Sequence, residues 1–150
     1  MKYVKSQNKA RNSILIKQNE YQVILKIILK HADTVCFTVY PYLDAIEELR
    51  EDIRYQQLMS SYIDSEYTKS IHTENCKESL VYFKLDHYMI KFLKDKKHIF
   101  DFCDEEAAIN LEDIVFIGKG NIVCDTITHE NYCGVTDELL YEVEKKLVIS

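Results

Sequence analysis

At 150 residues, with three glycines, one proline and a net charge of −6, the chain has the size of one domain and contains no linker or low-complexity stretch. Its 47% apolar and 29% charged fractions are those of an ordinary globular protein that buries a core without disulfide or metal staples. The cysteine count is odd, at five, and no Cys-x-x-Cys occurs, so a reducing, cytoplasmic setting is expected.

Residues 1–12 read as a basic arm, with no apolar run long enough for a signal peptide. Tyr21, Ile24, Leu25, Ile28 and Leu29 then recur at helical spacing, which predicts a helix ending near Lys30–His31. Lys26 and Lys30 interrupt that run, so it is too short to cross a membrane. Thr34 to Tyr40 is β-branched and aromatic and predicts a strand, stopped by Pro41. Leu43, Ile46, Leu49 and Ile53 share one helical face, giving a second helix that runs to about Met59. The polar residues 60–77 read as an irregular connection in which a short helix could sit.

Ser79 to Leu85 predicts another strand. Asp86 is placed to cap a helix with Met89, Ile90 and Leu93 facing inward. His98 to Phe102 reads as a short strand, and Asp104 as the cap of a brief helix through Ala108. Asp113 to Ile117 and Asn121 to Thr128 flank Gly118-Lys119-Gly120, the clearest hairpin pattern in the chain. Thr136 is placed to cap a last helix with Leu139, Leu140, Val143 and Leu147 on its apolar side. The expected fold is α/β or α+β: a single domain over 1–150, a mixed sheet packed by helices, and a C-terminal hairpin followed by a helix.

The charge is unevenly spread. Residues 1–17 hold five basic groups and no acid, whereas residues 99–144 hold twelve acids against Lys119 alone. A solvated acidic surface explains this in the simplest way. The sharper expectation is a face that meets a basic protein, since complementary charge speeds encounter and selects partners. A nuclease is one such partner, because its site must attract phosphates. The same field argues against nucleic acid as the ligand.

Catalytic signatures are sparse. His129 and Cys133 have the spacing of two metal ligands on a helix, but no second pair completes a zinc set, so no metal or other cofactor is expected. Cys133, His129 and Asp125 can be drawn as a thiol hydrolase, an alternative without a surrounding motif. A regulatory ligand-binding domain is a third option. Gly118-Lys119-Gly120 lacks the spacing of a phosphate loop. The eleven tyrosines lack the basic groove that base stacking requires.

Residues 112–133, EDIVFIGKGNIVCDTITHENYC, are similar to a pattern in small bacterial immunity proteins of polymorphic and contact-dependent growth inhibition toxin systems. In that pattern an acidic residue opens a strand, a Gly/Lys turn follows, and the second strand ends in a Thr-His-Glu step, here Thr128-His129-Glu130. The resemblance implies a cytoplasmic protein without chemistry of its own that binds one cognate toxin and blocks it. It does not imply any particular contact residue. From charge alone, the partner-binding candidates are Asp101, Asp104, Glu105, Glu106, Glu112 and Asp113, with Glu130 apart from them. Glu47, Glu48 and Glu51 are the second choice. The expected partner is a basic toxin, with no nucleic acid and no membrane, and the expected state is a monomer or weak dimer.

Overall fold

A computed structural model describes residues 12–40, 46–69, 77–102 and 107–148. The chain forms β1 (Asn12–Ser13), α1 (Tyr21–His31), β2 (Thr34–Tyr40), α2 (Ile46–Glu51), β3 (Tyr62–Lys69) and β4 (Lys77–Lys84). It continues with α3 (His87–Lys94), β5 (Asn110–Gly118), β6 (Asn121–Ile127), β7 (Tyr132–Val135) and α4 (Asp137–Val148). The strands make one seven-stranded sheet in the order β1-β7-β6-β5-β2-β4-β3. All of its pairings are antiparallel, and the fold is α+β. No helix among the described residues is long and apolar enough to cross a membrane.

The helices lie on one face of the sheet. Ile24, Leu25 and Ile28 of α1, Met89 and Leu93 of α3, and Leu139 and Val143 of α4 pack with Phe37, Phe83, Leu111 and Phe116 from the strands. Side chains of this size contribute about 1.5–3 kcal/mol each when fully buried. The Tyr21 hydroxyl donates to the Leu93 carbonyl at 2.7 Å and ties α1 to α3. Asp86 caps α3 as its sequence indicates, accepting the Met89 N–H at 3.2 Å. Thr136 caps α4, its Oγ1 accepting the Leu139 N–H at 3.3 Å.

The β5–β6 hairpin turns on two residues, Lys119 and Gly120, both with positive φ. That geometry matches the twist of paired strands. Asp33 holds the turn in place through its Oδ2, which accepts the Lys119 N–H at 3.1 Å.

Several expectations change. Residues 62–69 form an edge strand rather than an irregular connection. Between the hairpin and α4 lies β7, which pairs with both β6 and β1. Asn12, assigned to the basic arm, is in β1 and its amide donates to the Val135 carbonyl, while residues 1–11 lie outside the described residues. The second helix stops at Glu51 because Asp52 is extended and its carboxylate accepts the Arg54 N–H, turning the chain into two 3-10 segments, Ile53–Tyr55 and Leu58–Ser61. Ile53 is therefore exposed rather than inward. Its predicted start at Leu43 lies outside the described residues. Residues 98–102 are turns, with no pairing strand, and the proposed cap Asp104 lies outside the described residues.

Candidate functional site: a carboxylate-lined sheet face

Among the described residues, the second face of the sheet carries strand side chains. Cys36, Leu80, Tyr82, Val115, Ile117 and Ile122 form a separate, buried apolar cluster to which no described helix contributes. Strand alternation and register place acidic residues among them. One row across the sheet runs Glu66, Leu80, Thr38, Glu112 on β3, β4, β2 and β5. The next runs Asp64, Tyr82, Cys36, Val115, Asp125, reaching β6. Glu78 precedes Leu80 by two residues and shares its face. Five carboxylates from four strands thus share one face. In the adjoining row Lys84 pairs with Thr34 at the far end of β4.

Burial of these groups is uneven. Glu112 and Asp125 are each 1% exposed and Glu78 is 4%, whereas Asp64 and Glu66 at the edge strand are half-buried. Ionised carboxylates withdrawn from water are costly unless bonded or paired. Some of the bonds are local: the Tyr82 hydroxyl donates to Glu66 Oε1 at 2.8 Å, and His129 Nε2 lies 3.0 Å from Glu112 Oε2.

The His129 end has a definite construction. Between Cys36 and Thr38 of β2, β5 carries one extra residue, and Asp113 there adopts φ +54°. A bulge of this kind redirects neighbouring side chains. The Asp113 N–H donates to Thr128 Oγ1 at 3.0 Å, and the Thr128 N–H donates to Asp113 Oδ1 at 2.7 Å. This reciprocal pair fixes the 3-10 turn Thr128–Glu130 beside β5 and sets His129 over Glu112, with Glu130 exposed next to it.

Burial and, after it, nearby charge shift the titratable neighbours upward. Burial pushes the Cys36 thiol far up, and the charges of Glu78 and Glu66 add to it against an opposing bond to Tyr82. Burial likewise raises the Tyr82 phenol, with Cys36 and Glu66 adding to the shift. Tyr132 is raised by burial first and by Asp125 next.

Of the candidates read from sequence, Glu112, Asp113 and Glu130 come together at this end of the face. Asp101 is elsewhere, in the turn after α3, where its carboxylate accepts the Lys97 N–H at 3.1 Å and its charge raises the Tyr21 phenol after burial has done so. Glu47, Glu48 and Glu51 are exposed on α2. Asp104, Glu105 and Glu106 lie outside the described residues. Sequence reasoning missed Asp64, Glu66 and Glu78, and considered Asp125 only as part of the hydrolase alternative. The signal was the alternation Asp64-x-Glu66, hidden by the irregular connection expected over 60–77, and Glu78-x-Leu80-x-Tyr82, whose first residue lies just before the strand expected from Ser79.

The thiol and imidazole of the hydrolase alternative are not brought together. Cys133 is buried on the helix-packed face with its Sγ 3.6 Å from that of Cys124, while His129 engages Glu112 on the opposite face. Among the described residues, one group has the geometry to hold a metal ion: His31, Glu138 and Glu142, on the helix side of the molecule.

No protein-family model, curated protein or solved structure matches the chain.

Proposed function

We propose that this protein is an immunity protein that neutralises a basic toxin domain by stoichiometric binding, and that the β3 edge and the His129 rim of the acidic face receive the toxin. The observation that carries the reading is the gathering of Asp64, Glu66, Glu78, Glu112 and Asp125 on one side of the sheet. Asp64 and Glu66 on the edge strand and Glu130 at the rim are the carboxylates that a partner's lysine or arginine side chains can reach, and the buried Glu78, Glu112 and Asp125 add their charge at longer range. The similarity of residues 112–133 to immunity proteins supports the same reading. Its acidic strand start and its Thr-His-Glu step are the groups joined by the Asp113–Thr128 and Glu112–His129 contacts.

The function requires no catalysis. Recognition would come from charge complementarity at long range and from the shape of the face at short range, and the toxin is blocked because its basic active surface is covered. Neutralisation is tested by expressing the protein encoded next to this gene, alone and together with this chain. Growth arrest relieved only by co-expression, with a one-to-one complex on gel filtration, is the expected outcome. Failure of the chain to relieve arrest, or to form a complex with that protein, would remove the reading.

A further inference from the structure

A second cluster of ligating side chains lies on the helix side, away from the acidic face. His31 ends α1, and Glu138 and Glu142 stand one turn apart at the start of α4. His31 Nε2 is 3.0 Å from Glu142 Oε1, and His31 Nδ1 is 3.9 Å from Glu138 Oε1. One ligand atom from each residue can be chosen so that all three lie within 4.8 Å of one another. The histidine is positioned by backbone packing: its carbonyl sits against the Cα of Gly118, where a Cβ would come to 1.8 Å. His31 is 20% exposed, Glu142 34% and Glu138 76%, so the cluster opens to solvent on one side. That side is a groove of about 660 Å³ between α1 and α4, where Lys30, Tyr141 and Lys145 stand near the two glutamates.

Like charges at i and i+4 on a helix repel. Here they flank an imidazole, and zinc takes both histidine nitrogen and glutamate oxygen as ligands. An imidazole ligand selects zinc and its first-row neighbours over magnesium and calcium. We propose that His31, Glu138 and Glu142 bind a divalent transition-metal ion of the Zn²⁺ type, which pins the end of α1 to the first two turns of α4. The ion ties the two helices together, with a fourth position left to solvent.

The test uses the untagged full chain, stripped with chelator and titrated with zinc chloride by calorimetry, with Co²⁺ absorption as a second readout of nitrogen and oxygen ligation. One equivalent should bind, and zinc should raise Tm because only the folded chain presents the site. His31→Gln and Glu142→Gln should each weaken binding at least about tenfold, since loss of even an outer-sphere partner costs about 10–100-fold. Glu144→Gln, on the same helix but outside the cluster, should bind as the parent does. Should His31→Gln fail to fold, Glu138→Gln decides, because that side chain is largely exposed. No heat and no Tm shift with zinc would overturn the proposal and leave a metal-free imidazole–carboxylate clamp. Undiminished binding by the variants would overturn it as well, by placing the ion elsewhere.

Discussion

Asp113 and Thr128 exchange two hydrogen bonds across the foot of the β5–β6 hairpin, each backbone N–H donating to the other residue's side chain, at 3.0 and 2.7 Å. The exchange holds Asp113 in its left-handed backbone conformation and delivers His129 to Glu112. The bulge, the turn and the rim of the acidic face form one unit. Asp113→Ala should cost about 1–3 kcal/mol, because it strands a half-buried N–H and places a residue with poor left-handed tolerance at φ +54°. Asp113→Asn, which retains both an acceptor and that tolerance, should recover most of the loss. Urea unfolding of these variants with Thr128→Val, read as a double-mutant cycle, should give a coupling of at least about 0.5 kcal/mol.

Helix α3 should respond to acid through its cap. Burial, the largest single influence on Asp86, pushes its carboxyl up, but the Ser61 hydroxyl, the Met89 and Tyr88 N–H groups and His87 outweigh it and hold it below the usual range. A carboxyl lowered in the folded state stabilises above its unfolded value and loses that contribution as pH falls through its folded value. Asp86→Ala should therefore cost about 1 kcal/mol at neutral pH. The gap to the parent should close as pH drops below about 3.9, the ordinary Asp value. Thermal unfolding followed against pH reads it directly.

Two glycines should differ sharply. A Cβ on Gly118 meets the His31 backbone carbonyl at 1.8 Å, and neither α1 nor the hairpin can yield cheaply. Gly118→Ala should cost about 3 kcal/mol or more, at the upper end for overpacking. At Gly134 the obstacles are side-chain atoms, the Tyr132 hydroxyl at 2.4 Å and Asp125 Oδ1 at 2.9 Å, which can move aside. Gly134→Ala should cost less by at least about 1 kcal/mol on the same scale. Denaturant midpoints of the two variants settle the order.

The three thiols among the described residues should be inert in the folded chain. Cys36, Cys124 and Cys133 are all buried. Burial raises the Cys36 thiol, and the hydrogen bond with Cys133, followed by burial, raises Cys124 well above its usual value. Since the thiolate is the nucleophile, iodoacetamide at neutral pH should leave these three unlabelled until denaturant is added. Peptide mass mapping resolves each site. Rapid native labelling of Cys133 would instead favour the hydrolase alternative.

Much of the fold was legible because its elements carry local signals. Asp86 and Thr136 cap the helices that follow them, and Lys119-Gly120 adopts the turn its residues suit. β3 was not legible, because an edge strand exposes polar residues and Tyr67, and Asp64 and Glu66 look like loop chemistry until their pairing with β4 is known. β7 was hidden by its length, since Tyr132–Val135 gains its pairing only from β6 and β1, the latter about 120 residues away in sequence. The candidate site was legible only in part for the same reason. Glu112 and Asp113 belong to a contiguous acidic pattern, but their neighbours Glu66, Glu78 and Asp125 arrive from three other strands, and only the sheet order places them together.

The most direct test of the acidic-face account is the association rate between this chain and a basic partner identified by the neutralisation assay, measured against salt. The parent is compared with Asp64→Asn/Glu66→Gln/Glu130→Gln, which neutralises the more exposed carboxylates of the face and rim. On the present account the parent's association slows steeply as salt screens the face, and the triple variant associates more slowly at low salt and loses most of that dependence. Equal rates for the two proteins across the salt series would contradict it.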